Sequence, residues 1–230
     1  MTALVWMRLR GYAMTGRALA PLLAGLVVLG ILYGGGRAQA GEAYGVSAVM
    51  LLPVLALQTK MLLDIEPDVQ RRLAGVALGS QLREVACGLV AAVAAAVPVV
   101  SLALVVPWML NGISGPQRPG DPSLGSGIAL GLWAHLLLIP PAVAIGAWAS
   151  RAVTRTAGSG VAVLAAGTVA VLVLGLNGSP APWLVPPAMA VARHAAVGGT
   201  WLALIGISLW ALVWTGGVVA GYVAVRRVRV

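Results

Sequence analysis

Charge is scarce in this chain: Asp, Glu, Lys and Arg make up 9% of its 230 residues, and only six residues are acidic. Soluble domains carry about 25% charged residues, so a water-facing surface along the whole chain is excluded. Cysteine is nearly absent. The single residue, Cys87, rules out an intrachain disulfide and a cysteine cluster for zinc or iron–sulfur, and gives no support to redox chemistry. There is one lysine, Lys60, in Gln58-Thr59-Lys60-Met61. A phosphate-binding loop of the form G-x-x-x-x-G-K-[ST] needs glycines that expose backbone N–H groups next to a lysine, and no such loop is present, so any ATP-driven work needs another polypeptide. Two histidines, with no acidic residue inside an apolar run, are too few for a metal centre. Phenylalanine is missing and arginine almost replaces lysine, a usage that points to a GC-rich bacterial genome.

What fills the chain is apolar: 60% of residues are hydrophobic and the mean hydropathy is +0.96. In lipid the backbone must satisfy its own hydrogen bonds, and the runs are far longer than the roughly ten-residue alternating strands of a membrane barrel. The expected fold is therefore all-α, an integral membrane protein forming a single transmembrane domain over residues 1–230. A crossing needs about 20 helical residues, and six runs qualify, at 18–33, 46–63, 85–110, 127–150, 157–176 and 201–225. Pro53, Pro98, Pro140 and Pro141 fall inside them, where kinks are expected.

Cytoplasmic connections retain Lys and Arg. Arg8, Arg10, Arg17, Lys60, Arg71, Arg72, Arg83, Arg151, Arg155, Arg226, Arg227 and Arg229 fall in one set of connections, against Arg37, Arg118 and Arg193 in the other. Twelve against three places both termini inside the cytoplasmic membrane of a bacterium. Trp6, Tyr12, Trp148 and Tyr222 then lie near the inner boundary, and Tyr33, Tyr44, Trp108, Trp183 and Trp201 near the outer one. Ala38-Gln39-Ala40 after the first run imitates a secretory cleavage site, but the run is read as the first span. Residues 1–17 mix Leu4, Trp6 and Leu9 with arginines, the composition of an interfacial helix.

Two connections carry further information. Asp64-Ile65-Glu66-Pro67-Asp68 reads as a helix start, with acidic residues at the positive end of the dipole and Arg71 and Arg72 placed to pair with Asp68. The polar helix it opens, between spans two and three, is either a loop helix whose arginines snorkel to headgroups or a docking surface for a partner. Residues 177–200 hold four prolines, yet also Trp183, Leu184 and an apolar run. A pair of short helices dipping back into the outer leaflet fits this pattern, as does a proline-rich loop on the headgroups.

Candidate chemistry inside the spans is sparse. Ser126 and His135 are nine positions apart, on opposite faces of one helix, and cannot form a nucleophile–base pair. His135 is the one ionisable residue deep in a span, either hydrogen-bonded between helices or in contact with cargo or protons. With Gln58 and Ser101 it makes a candidate translocation path suited to an apolar or amphipathic cargo. Gly30/Gly34, Gly127/Gly131 and Gly217/Gly221 match G-x-x-x-G, which makes oligomerisation plausible.

With Asp64-Ile65-Glu66-Pro67-Asp68-Val69-Gln70-Arg71-Arg72 as its sharpest local match, the pattern resembles the membrane subunit of bacterial ABC-2 type exporters. The resemblance implies six spans, an interfacial N-terminal helix, a cytoplasmic coupling helix and a re-entrant pair before span six. It further implies a permease that is not itself an enzyme and holds no cofactor. ATP and Mg would be bound by a separate ATP-binding subunit docking on the 66–83 segment, where Glu66, Asp68, Arg71, Arg72 and Arg83 are the candidate coupling residues. A second permease copy, a homodimer, and membrane lipids complete the expected partners; nucleic acid is not among them. The competing readings are an intramembrane hydrolase using His135 or His194, and an assembly or immunity protein with no transport cycle.

Overall fold

Long apolar runs bounded by charge or proline leave the backbone little choice but helix once water is gone. The computed structural model describes residues 1–117 and 120–228; Arg118 and Arg229, counted among the loop arginines above, lie outside the described residues. In chain order the helices are α1 (Thr2–Met14), α2 (Leu19–Tyr33), α3 (Ala40–Leu63), α4 (Asp68–Ala77), α5 (Gln81–Met109), α6 (Leu124–Ala149), α7 (Arg151–Thr154), α8 (Ala157–Leu174), α9 (Ala188–Val197) and α10 (Trp201–Val228). Among the described residues, α3, α5, α6 continued by α7, α8 and α10 are long and apolar enough to cross a membrane. The pair α1 and α2, bent by 70° at its junction, passes the same test together. The protein is thus a multi-pass, all-α membrane protein with five or six crossing elements.

The predicted runs coincide with α2, α3, α5, α6, α8 and α10, and the largest shift is at α3, which starts at Ala40 instead of 46. Its added residues include Glu42 in the first turn, where negative charge suits the helix dipole. Side-chain caps open α6 and α8, where Ser123 and Thr156 accept hydrogen bonds from the backbone of Ser126 and Ser159 at 3.2 Å. Helices α3, α5 and α6 run without a break through Pro53, Pro98, Pro107, Pro140 and Pro141. Two two-residue strands depart from the all-helical expectation: Ala38–Gln39 pairs in parallel with Ile113–Ser114. That clip ties the α2–α3 connection to the α5–α6 connection, and Arg37 reinforces it by donating to the Asn111 carbonyl at 3.1 Å.

The core is built around α3. Two-thirds of its apolar window (67%) is buried, against 11% for α8 and for α10, which leaves those two at the periphery. Apolar burial does not drive helices together in lipid, so close packing of small residues has to do so. A methyl group on Gly127 would lie 2.8 Å from the Gly41 nitrogen, and one on Gly131 would strike the Tyr44 ring. Further along α6, one on Gly146 would lie 2.6 Å from Thr59 Cβ. Gly127-x-x-x-Gly131, a candidate for oligomerisation in the sequence, is therefore spent inside the chain on the α3–α6 contact. Gly41 and Gly45 play the same part on another face of α3, against Ala192 and Ala195 of α9. The segment before α9 contains one 3-10 turn, Pro182–Leu184, and then the buried residues Val185 to Ala188. Trp183 and Leu184 of that turn are exposed.

Candidate functional site

Four of the six acidic residues converge at the end of the bundle where α1, α4, α7 and the close of α10 meet, and all four are in ion pairs. Arg8 sits at the centre, its side chain 4% exposed. It donates to Glu66 Oε2 through Nε at 3.0 Å and Nη2 at 2.6 Å, and to Glu84 Oε1 through Nη2 at 2.5 Å. Its Nη1 donates to the Glu84 carbonyl at 3.0 Å. Glu84 turns its other oxygen to Arg226 Nη1 at 3.0 Å, and Arg226 lies over the Tyr222 ring at 5.8 Å. Burial opposes the Arg8 charge, but the hydrogen bonds and charges of Glu66 and Glu84 outweigh it and raise the guanidinium above its ordinary pKa. Arg8 is held as a cation. One network thereby joins α1, the α3–α4 connection, α5 and α10.

A second cluster lies beside it. Lys60 Nζ contacts Asp64 Oδ2 at 2.7 Å, while Asp64 Oδ1 accepts from the Arg151 backbone N–H at 2.7 Å, at the first residue of α7. The Asp64 carbonyl accepts from Arg17 at 3.3 Å. Alongside both clusters runs a groove of about 570 Å³, with Arg71, Arg72, Arg151, Arg155, Arg226 and Arg227 on its walls.

The sequence-predicted coupling residues divide between the two sides of α4. Glu66 and Arg71 are buried; Glu66 is bound to Arg8, and Arg71 pairs with Asp68. The Asp68 side chain is 76% exposed, and Arg72 is exposed without joining that pair. Pro67 stands just before the helix, and Asp68 is its first residue. Arg83 belongs to the first turn of α5 and donates to the Leu78 carbonyl at 3.4 Å. The outward face of α4 is apolar: Val69, Leu73 and Val76 recur at helical spacing and are 69%, 64% and 79% exposed.

The predicted path residues are not brought together. His135 and Gln58 are each 2% exposed, whereas Ser101 points away from the core. Gln58 lies on the same face of α3 as Ser47, which touches His135, but about 16 Å further along. Gln58 Nε2 is buried without a hydrogen-bond partner. His135 Nδ1 donates to the Gly131 carbonyl at 2.8 Å, which leaves Nε2 facing Ser47 Oγ at 3.3 Å, and the Tyr44 ring meets it edge-on at 6.1 Å. Ser126 instead lies in the first turn of α6, its backbone N–H donating to the cap Ser123 Oγ. The serine beside the histidine is thus Ser47, 88 positions away in the sequence, and it is fully buried.

A third feature, at the opposite end, is a lateral groove of about 780 Å³ between α6 and α10, with Leu130, Trp133, Trp201, Leu204 and Leu209 on its walls. Trp133 Nε1 donates across it to Ser208 Oγ at 3.1 Å. No cluster of His, Cys, Asp and Glu suited to a metal occurs among the described residues. Comparison of the chain with protein-family models, curated proteins and solved structures finds no match.

Sequence reading missed Arg8, Glu84 and Arg226 as site residues. The available signal was position: Glu84 and Arg226 directly abut apolar runs and Arg8 lies about three turns from one, where an unpaired charge meets headgroups and a paired one meets another helix.

Proposed function

We propose that this chain is the permease subunit of an ATP-driven exporter of the ABC-2 type, powered by a separate ATP-binding subunit that holds the ATP and Mg. The observation that carries the proposal is the run of charges Glu66–Arg8–Glu84–Arg226. Glu66 lies two residues before α4, so a load on the exposed Val69/Leu73/Val76 face passes directly to α1, α5 and α10. A loop helix that only rested on headgroups would not need a buried four-residue ionic connection to three other helices.

In this reading the basic end is cytoplasmic, α2 makes the first of six crossings, and α1 lies in the interface. The α4 helix is the coupling element, and the segment ending in α9 is re-entrant. Two copies form the path between them, because glycine-mediated packing closes the α3–α6 contact around His135 within one chain. The apolar groove with its Trp133 donor suits an apolar or amphipathic cargo.

The test is purification of the tagged chain in mild detergent from its native host, comparing wild type with Arg72→Glu combined with Leu73→Asp, both on the exposed side of α4. Recovery of an ATPase with wild type and its loss with the variant is expected. Absence of any ATPase, even after crosslinking in membranes, overturns the proposal.

One observation favours a second reading, an intramembrane hydrolase: the Ser47–His135 contact is a nucleophile beside a base. Both groups are sealed in this conformation. An activated serine probe that labels wild type but not Ser47→Ala would establish the hydrolase; under the exporter proposal neither is labelled.

A further inference from the structure

The groove at the basic end has a charge imbalance that the coupling role does not use. Six arginines line it against two carboxylates, Asp68 and Glu84. Those carboxylates are committed, Asp68 to Arg71 and Glu84 to Arg8 and Arg226. The guanidinium groups of Arg72, Arg151, Arg155 and Arg227 are in no ion pair among the described residues, although the Arg151 backbone N–H meets Asp64.

Arg227 is in the last turn of α10, where a cation suits the helix dipole, and Arg151 opens the four-residue α7 that continues α6. Arg155 follows α7 with φ of +61°, a conformation that a non-glycine residue holds only under constraint from its surroundings. Like charges gathered in one concavity repel unless an anion joins them. Guanidinium groups select phosphate by matching two N–H donors to two oxygens. At about 570 Å³ the groove is of small-ligand size.

The remaining walls distinguish a lipid from a soluble anion. Val76, Leu82, Val85 and Val223 line the same groove, so an occupant meets hydrocarbon beside the arginines. The groove opens where α5 begins and α10 ends, and α10 keeps few of its residues buried: Ile207, Ala211 and Tyr222. A free phosphate would leave the apolar wall wet; a phospholipid fills both parts. Basic recesses between membrane helices at this level bind anionic headgroups.

We propose that this groove binds the phosphate headgroup of an anionic phospholipid, with Arg72, Arg151, Arg155 and Arg227 as its ligands. The bound lipid would bridge α4 to α7 and α10. The proposal needs only the membrane fold and stands or falls separately from an ATPase partner.

The test is native mass spectrometry of the purified full chain titrated with dioleoylphosphatidylglycerol or dioleoylphosphatidylcholine. Wild type is compared with Arg72→Gln/Arg155→Gln/Arg227→Gln and with the control Arg37→Gln/Arg193→Gln at the other end. Expected is a preference for phosphatidylglycerol that the groove variant weakens at least tenfold and the control leaves unchanged. Should the triple variant fail to give a monodisperse protein, Arg155→Gln and Arg227→Gln are read singly, each expected to weaken binding several-fold. Equal phosphatidylglycerol retention by groove variant and wild type overturns the site. Equal binding of phosphatidylcholine overturns the anion requirement. In a parallel arm pyrophosphate and glycerol 3-phosphate serve as soluble competitors; displacement of lipid by either at micromolar concentration overturns the lipid assignment in favour of a free phosphate ligand.

Discussion

Arg8 shows how much a single side chain can organise when lipid removes the alternative of hydration. Its guanidinium replaces water with two carboxylates and a carbonyl, and Gly88 leaves the space it occupies: a methyl there would lie 2.9 Å from Arg8 Nη1 and 3.0 Å from Leu63 Cδ2. Removing one partner of a buried pair costs about 3 kcal/mol or more, because the other charge is stranded. Glu84→Gln should therefore lower the thermal midpoint in detergent by roughly 6–12 °C for a chain of this size. Gly88→Ala, which crowds Arg8 instead of uncharging its partner, is expected to cost about 1–3 kcal/mol by overpacking. Scanning calorimetry or a thiol-dye melt reads both, and an unchanged midpoint for Glu84→Gln would refute the network. The pairing was not legible in the sequence. Arg8 meets Glu66 across 58 positions and Glu84 across 76, and a periodic pattern carries no information about pairing at that range.

Helices were the most legible level, because hydrophobic runs ending in charge or proline state their own limits. Runs at 157–176 and 201–225 became Ala157–Leu174 and Trp201–Val228 with little change. The sequence does not say which glycines face which partner. Three G-x-x-x-G matches looked equivalent, yet Gly131 is filled by the Tyr44 side chain while Gly30 and Gly217 have open space beside them. Exchanging glycine for alanine in a helix interior gains up to about 1 kcal/mol from propensity alone. Gly30→Ala and Gly217→Ala should leave the melting of the isolated chain unchanged or slightly raised. Gly131→Ala should lower it clearly, since the Tyr44 ring has to leave its notch and the hydroxyl bonded to the Leu104 carbonyl at 2.8 Å goes with it. A Gly217→Ala protein that melts normally but loses a dimer band on crosslinking would locate the contact between copies on α10. The Ser47–His135 contact was illegible for a similar reason, since only the α3–α6 packing brings the two together.

For the whole molecule, the distribution of charge is the property that decides orientation, and orientation decides whether α4 can meet an ATPase at all. Twelve basic residues occupy one set of connections and three the other. The fold gathers Arg71, Arg72, Arg151, Arg155, Arg226 and Arg227 around one groove, while Arg37 lies at the far clip beside Asn111. Moving such an end across a bilayer is opposed at every arginine. The single cysteine makes this measurable, because Cys87 is buried at 0% exposure and Cys87→Ala gives a thiol-free background. Arg37→Cys and Arg193→Cys, at exposed positions, should react with a membrane-impermeant maleimide in intact cells. Arg72→Cys and Arg155→Cys, equally exposed in the fold, should react only after permeabilisation. The opposite pattern would put the α4 face outside the cell, where no ATP-hydrolysing subunit could reach it, and the exporter reading would fail even with every helix correctly placed.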